Sequence, residues 1–202
     1  MKDYKNIGIP IDAIMTDALS YDPVLYQYYT GLNNRTVFIN TQIDESLVET
    51  AMLPLLQMDN DGSGEPIKII IATPGGSLYD GIVMCDVIDN LKSPTEVIVV
   101  SYAYSMGSLI LMAGYNNPNV KKKCYKHSTA LIHGGSLYFQ GNASNVRDQF
   151  RFNEEFEQKI KEYTLSHSKI SEEEYEKYSK AEWYMTSEDM LKYGLVDEVI
   201  GS

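Results

Sequence analysis

Residues 96 to 107 have the sequence Glu96-Val-Ile-Val-Val-Ser-Tyr-Ala-Tyr-Ser-Met-Gly107. The β-branched run predicts a buried strand, and the apolar segment Leu109-Ile-Leu-Met-Ala113 predicts a short helix that Gly114 ends. Ser105 therefore lies at a strand-to-helix turn, which exposes a hydroxyl beside the N–H groups of a helix N-terminus. A nucleophile and its oxyanion need this arrangement, although a serine at this place can also simply cap the helix.

The segments on either side continue the alternation of strand and helix. Further strands are predicted at Arg35–Asn40, Ile67–Ala72, Lys121–Tyr125, Thr129–His133 and Leu195–Ile200. Further helices are predicted from Asp44, over Leu78–Leu91, from about Asn142 to His167, from Ser171 and from Ser187. This alternation predicts an α/β fold with largely parallel strand pairing.

Length and composition predict one folded domain. The chain has 202 residues, of which 44% are hydrophobic, which suffices for a sizeable core. Residues 1–30 are mixed and rich in tyrosine towards their end, so we expect a partly irregular N-terminal segment there. The single domain is expected over residues 31–202.

The charge and the apolar pattern exclude several classes of function. The net charge of −11 argues against a nucleic acid or an anionic membrane as partner. Because apolar runs stay well below the roughly 18 residues of a membrane span, no transmembrane segment is expected. Asp3 and Asp12 near the N-terminus argue against a signal peptide.

Cysteine and histidine are too sparse for a metal centre. Cys85 and Cys124 are far apart, and the three histidines are scattered along the chain. This predicts reduced, buried cysteines in a cytoplasmic protein, with neither a metal nor an organic cofactor.

A second glycine-containing turn follows the strand predicted at Ile67–Ala72. In Thr73-Pro-Gly-Gly-Ser77, the glycines allow the backbone to approach a ligand and to direct N–H groups outward. The segment lacks the spacing of a phosphate-binding P-loop. It is therefore either an ordinary turn before a helix or part of an oxyanion hole shared with the N–H of Met106.

His133 is the candidate general base. It ends an apolar strand and is followed by Gly134 and Gly135, so that a cleft is plausible there, whereas His127 and His167 lie in polar surroundings. A histidine at a strand end can also be an ordinary core residue. If Ser105 has a base, His133 is the residue of choice.

Taken together, several segments resemble the proteolytic subunit of the Clp protease, a family of serine peptidases. The similarity runs in order over roughly residues 25–200. The matching segments are Thr73–Ser77, Ala103–Gly107, Leu131–His133, Gln140-Gly141 and Met185–Asp197. The resemblance implies a ClpP/crotonase-like fold of stacked β-β-α units, from which the long helix at about 142–167 protrudes.

The resemblance also implies roles for individual residues. Ser105 would be the nucleophile, His133 the general base, and the N–H groups of Gly76 and Met106 the oxyanion hole. An extended peptide would bind between two backbone edges, which comprise Gly75, Ser77 and Leu78 on one side and Gly135, Ser136 and Leu137 on the other.

The chain departs from the family pattern at two places. Glu182 stands where the family usually has the aspartate of its triad, and a glutamate can orient a histidine in the same way. Alternatively Glu182 is a surface residue, and the site is a dyad or uses another acid such as Asp148. The family commonly has Gln-Pro after the histidine, where this chain has Gly134-Gly135, so peptide specificity is expected to differ.

The implied function is that of a serine endopeptidase cleaving unfolded polypeptides inside a chamber of stacked rings, a tetradecamer by resemblance. Since the chain carries no ATP-binding motif, an AAA+ unfoldase would supply the ATP dependence. Three alternatives stay open: an acyl-CoA enzyme with the same oxyanion hole, a non-catalytic ring component, and a phage-type relative that processes phage proteins.

Overall fold

The computed structural model describes residues 22–135 and 140–201. The strands are β1 (Thr36–Ile39), β2 (Ile67–Thr73), β3 (Thr95–Tyr104), β4 (Val120–Tyr125), β5 (Thr129–Ile132), β6 (Trp183–Met185) and β7 (Glu198–Ile200). The helices are α1 (Pro23–Asn33), α2 (Leu53–Asp59), α3 (Leu78–Asp89), α4 (Met106–Met112), α5 (Ala143–Ser166), α6 (Glu172–Tyr178) and α7 (Ser187–Lys192). A π-helical segment, Val48–Met52, leads directly into α2.

One sheet organises the molecule, with the strand order β1-β2-β3-β4-β7. All neighbours along this path are parallel, which confirms the predicted α/β class. The long strand β3 pairs with β4 through Thr95–Val99 and with β5 through Tyr102–Tyr104. The C-terminal end of β3, which leads to Ser105, extends beyond β4. There it pairs with β5, and β5 pairs antiparallel with β6 in the same sheet.

Helix α4 explains why the segment after Ser105 is apolar throughout. Every residue from Met106 to Met112 is buried, so this helix has no solvent-facing side. It lies within the same hydrophobic core as the inward-facing residues of β2 and β3. Burial of each large apolar side chain contributes about 1.5–3 kcal/mol, so the turn at Ser105 is anchored on both sides.

The predicted long helix is present as α5, with 24 residues and a length of about 36 Å. Asn142 caps its start, because its side chain accepts hydrogen bonds from the N–H groups of Ser144 and Asn145. Its contacts with the core come from its last turns, through Ile160, Tyr163 and Leu165. The N-terminal part is largely exposed, so the helix protrudes from the domain as expected.

The described part of the chain begins with helix α1. Residues 23–30 of the segment that is expected to be partly irregular belong to this helix. Asp22 caps this helix and Pro23 occupies its first turn, where the missing N–H of proline is not needed. Residues 1–21 lie outside the described part of the chain.

Candidate active site

Ser105 occupies a strained turn between β3 and α4. Its φ of 54° and ψ of −121° are uncommon for a residue other than glycine. The turn is held by hydrogen bonds from Ser105 N–H to the Leu131 carbonyl (2.9 Å) and from Ser108 Oγ to the Ser105 carbonyl (2.7 Å). The Ser105 side chain makes no capping bond to α4, so the interpretation as a helix cap does not apply.

The Ser105 hydroxyl is paired with His133. The distance from Ser105 Oγ to His133 Nε2 is 2.8 Å. The sheet produces this contact, because Tyr104 at the end of β3 is in register with Leu131 on β5, and each functional residue follows soon after. A serine at this distance from an imidazole can transfer its proton to the ring nitrogen as it attacks a carbonyl.

The glycine turn after β2 packs directly on the nucleophile turn. Gly75 has a φ of 90°, and a Cβ there would lie 2.8 Å from Ser105 Cβ and 2.5 Å from the Tyr104 carbonyl oxygen. These distances are too short for any side chain. Glycine is therefore required at this position both by conformation and by space.

The amides of Gly76 and Met106 face the same region. Ile43 N–H donates to the Gly75 carbonyl (2.9 Å), and Ser77 N–H donates to the Ile43 carbonyl (2.7 Å). In such a parallel bridge the intervening residue, Gly76, directs its own N–H to the opposite side, which is the β3 side. Met106 begins α4, where N–H groups lack acceptors within the helix. Neither amide donates to an acceptor among the described residues.

Internal hydrogen bonds are made by two of the residues predicted for the peptide-binding edge, Gly75, Ser77 and Leu78. Gly75 N–H donates to Thr73 Oγ1 (3.1 Å), and the Ser77 carbonyl accepts from Gly81 N–H (3.1 Å). With the bonds to Ile43, each backbone N–H and carbonyl group of Gly75 and Ser77 has a partner within the chain. These bonds fix the backbone on both sides of Gly76.

On the opposite edge, Gly135 is exposed and has a φ of 72°. The predicted contacts Ser136 and Leu137 lie outside the described residues.

Glu182 is near the pair but is not bonded to it. Its carboxylate accepts a hydrogen bond from the Tyr184 hydroxyl, with Oε2 and the phenol oxygen 2.9 Å apart. Within residues 22–135 and 140–201, no carboxylate forms a hydrogen bond or an ion pair with His133, and the alternative acid Asp148 lies exposed on α5. The last pairs between β5 and β6 are Leu131 with Tyr184 and Ile132 with Trp183. His133 directly follows β5 and Glu182 directly precedes β6, so this register leads towards these two residues.

Two supporting residues were not found from the sequence. Ser108 donates its hydroxyl to the carbonyl of Ser105, a bond that serines form with a residue three positions earlier. The buried Thr73 accepts from Gly75 N–H and donates to the Thr41 carbonyl (2.5 Å), which fixes the start of the glycine turn. The sequence contained one signal for Ser108, since it is the single serine in an otherwise apolar helix.

Two further classes of site were searched in the described part of the chain. There, no group of three or more His, Cys, Asp or Glu side chains is arranged to hold a metal ion. In the same residues no helix combines the length and the apolar character that a membrane crossing requires.

Comparison with known proteins identifies the family. The family model described as Clp protease matches residues 21–202. The chain belongs to the Clp protease family. It is 30% identical to the ATP-dependent Clp protease proteolytic subunit of Deinococcus radiodurans, over 87% of this chain and 85% of that protein. Subunits of the same name from Bacteroides fragilis (30% identical, covering 83% of this chain and 79% of the relative) and Porphyromonas gingivalis (32% identical, covering 83% and 74%) also match.

As a Clp protease, the chain is a serine peptidase with the expected α/β fold. The resemblance expected from short segments is thereby confirmed, and it extends over almost the whole described chain. A serine peptidase of this kind uses a serine hydroxyl beside an imidazole, and Ser105 and His133 form a hydrogen-bonded pair of that type. An acyl-CoA enzyme that relies on paired amides alone has no need of this pair.

Proposed function

We propose that this chain is the proteolytic subunit of an ATP-dependent Clp-type protease, in which Ser105 attacks the peptide carbonyl and His133 accepts the serine proton. The observation that carries this proposal is the 2.8 Å contact between Ser105 Oγ and His133 Nε2 at a strained turn. The imidazolium then gives this proton to the leaving amine as the tetrahedral intermediate collapses to the acyl-enzyme. The neutral imidazole next activates the water that hydrolyses the acyl-enzyme.

The developing oxyanion would be bound by the N–H groups of Gly76 and Met106. This assignment is supported by the close approach of the glycine turn to Ser105 and by the direction of the Gly76 amide. In other serine peptidases the loss of one such donor lowers kcat by about 10²–10³-fold.

Glu182 would complete the triad. Support comes from the register of β5 and β6, which leads to His133 and Glu182 as the next opposed pair. Side chains of directly opposed residues have Cβ atoms about 4.5–5.5 Å apart, so a glutamate reaches the second ring nitrogen by a change of rotamer.

The substrate would be an extended polypeptide that pairs with the backbone. Gly76 and Leu78 would bind it on one side, and the segment that begins at Gly135 would bind it on the other. Because backbone hydrogen bonds supply most of the affinity in this mode, selectivity for side chains would be weak. Unfolded chains of many sequences would therefore be cleaved.

Such a peptidase must act inside an enclosed chamber. We propose that stacked rings form this chamber and that an AAA+ unfoldase delivers the substrate to it. Exposed aromatic rings support an assembly surface: Phe152 on α5 is 52% exposed and stacks on Tyr79, which is 50% exposed. The curated relatives are named ATP-dependent proteolytic subunits, and this chain lacks a P-loop motif, which supports an ATPase partner. The buried, unpaired Cys85 and Cys124 favour the cytoplasm.

Substitution of the pair tests the proposal. Ser105→Ala and His133→Ala are each expected to lower the hydrolysis of a small fluorogenic peptide by at least about 10³-fold, because neither residue alone activates the nucleophile. His127→Ala removes an exposed imidazole that lies before β5 in the sequence, and it serves as the control, with activity unchanged. A Ser105→Ala variant as fast as the parent would refute the peptidase assignment.

A further inference from the structure

We propose that the Tyr184 hydroxyl controls the alignment of the catalytic triad by competing with His133 for the Glu182 carboxylate. This inference rests on the proposed function, since it concerns the residue that orients the general base. Tyr184 would be a positioning residue that contacts neither the substrate nor the reacting atoms.

Strand geometry brings the three side chains to one face of the sheet. Leu131 and Tyr184 are directly opposed across the antiparallel pair β5–β6. Residues two apart in a strand share a face, so His133 lies on the face of Leu131, and Glu182 lies on the face of Tyr184. Glu182, which directly precedes β6, therefore has two partners within reach, the imidazole opposite and the phenol two residues further along the chain.

In this structure the phenol holds the carboxylate. Tyr184 donates to Glu182 Oε2 at 2.9 Å. The pKa of Tyr184 is raised by this hydrogen bond and by the charge of Glu182, which keeps the phenol protonated as a donor at neutral pH.

A cluster of aromatic residues sets the position of the phenol. The Tyr184 ring packs edge-on against Tyr104 at 5.9 Å, and Tyr104 packs against Tyr102 at 5.0 Å. The Tyr104 hydroxyl is in turn hydrogen-bonded to Thr129 Oγ1 at 2.9 Å. The cluster thus connects the residue before the nucleophile to the hydroxyl that binds Glu182.

The free-energy difference between the two hydrogen-bonded positions of the Glu182 carboxylate is small, because the competition takes place at the surface. Tyr184 is 56% exposed, and a hydrogen bond in water contributes little net free energy. When His133 accepts the Ser105 proton it becomes a cation, which attracts the Glu182 carboxylate more strongly than a neutral phenol does. The carboxylate is therefore expected to move from Tyr184 to His133 as the reaction proceeds, at a cost that slows the step.

Tyr184→Phe removes the competitor and keeps the ring. We expect kcat for a small fluorogenic peptide to rise about two- to tenfold with KM unchanged, the range that one hydrogen bond accounts for. The increase should be absent in a Glu182→Gln background, in which no carboxylate can be released. Tyr125→Phe removes the hydroxyl of a tyrosine on β4 that is 48% exposed, and it should leave the rate unchanged.

The outcomes separate this inference from the proposed function. A Tyr184→Phe variant that is no faster than the parent, while hydrolysis still requires Ser105, would overturn the role of Tyr184 alone. An increase in kcat that persists with Glu182→Gln would overturn it as well, because the effect would not pass through the carboxylate. Hydrolysis that does not require Ser105 would instead contradict the proposed function.

Discussion

Gly75 is the single residue on which the geometry around Ser105 depends most closely. A methyl group there would lie 2.5 Å from the Tyr104 carbonyl oxygen, 2.8 Å from Ser105 Cβ and 3.0 Å from Met106 N. Gly75→Ala must therefore displace the nucleophile turn, and we expect kcat to fall by at least about 10²-fold, as for loss of an oxyanion donor. Steady-state hydrolysis of a fluorogenic peptide measures this.

Gly62→Ala is the matched control for Gly75→Ala. Gly62 also has a positive φ, 75°, but a Cβ there meets nothing within 4 Å. The control carries the same kind of backbone strain without the collision, so its activity should equal that of the parent. Equal activity of Gly75→Ala and the parent would contradict the proposed packing of the two turns.

The residues of the site differ in how far sequence alone predicts them. Ser105 and His133 were predicted as candidates because each lies at the end of a recognisable strand. Parallel pairing of β3 with β5 brings these two ends together. The hydrogen bond from Tyr184 to Glu182 was not predicted from the sequence, because its place beside His133 depends on an antiparallel register between segments distant in the chain. The engagement of Ser77 was missed for a similar reason, since its partner, Ile43, lies in an irregular segment.

Among the elements, α3 and α5 are joined by a partly buried polar contact at Asp89. Asp89 Oδ2 accepts from Tyr163 Oη (3.1 Å) and lies 3.3 Å from His167 Nε2, and Oδ1 accepts from Gly114 N–H (2.6 Å). Burial raises the pKa of Asp89, but the bonds from His167 and Gly114 outweigh it, so the pKa is lowered below its ordinary 3.8. The ionised carboxylate therefore stabilises the attachment of the long helix.

Asp89→Asn tests this attachment. The variant is expected to lose about 1–3 kcal/mol of unfolding free energy at pH 7, the cost of weakening a partly buried set of charged hydrogen bonds. Because the folded pKa is lowered, the contribution is present above pH 4 and is lost as the pH falls through the folded value, so the two proteins should converge in acid. Urea unfolding at several pH values measures the difference.

Asp86→Asn serves as the control, since Asp86 lies exposed on the same helix, α3. Its unfolding free energy should stay within about 0.5 kcal/mol of the parent. If Asp89→Asn and Asp86→Asn are equally stable at pH 7, the polar contact does not hold the helix.

Most elements were predicted from the sequence because hydrophobic periodicity and caps are local signals. The limits of α5 and the capping box of Ser171 with Glu174 are examples. Local signals could not predict the burial of Lys122. Its side chain is 1% exposed, and its Nζ donates to the carbonyl of the distant residue Gly194 at 3.2 Å. Burial lowers its pKa to about 8, whereas three consecutive lysines in the sequence suggest a solvated strand.

At the scale of the whole molecule, the proposed function implies that the exposed aromatic side of α5 forms a contact between the proposed rings. Phe152→Ala removes a ring that stacks on Tyr79, so the complete assembly is expected to separate into species of about half its mass. Glu154→Ala is the control, because a residue two positions after Phe152 lies on nearly the opposite side of the helix. Native mass spectrometry distinguishes the species, and an unchanged mass for Phe152→Ala would contradict the assignment.

The central claim is that Ser105 is a nucleophile activated by His133, and active-site labelling tests it most directly. A fluorophosphonate probe, followed by intact-protein and peptide mass spectrometry, should add one phosphonyl group per chain at Ser105. Labelling should disappear in Ser105→Ala and slow strongly in His133→Ala, while His127→Ala labels at the rate of the parent. Absence of labelling in a folded and assembled sample, or labelling at another residue, would contradict the claim.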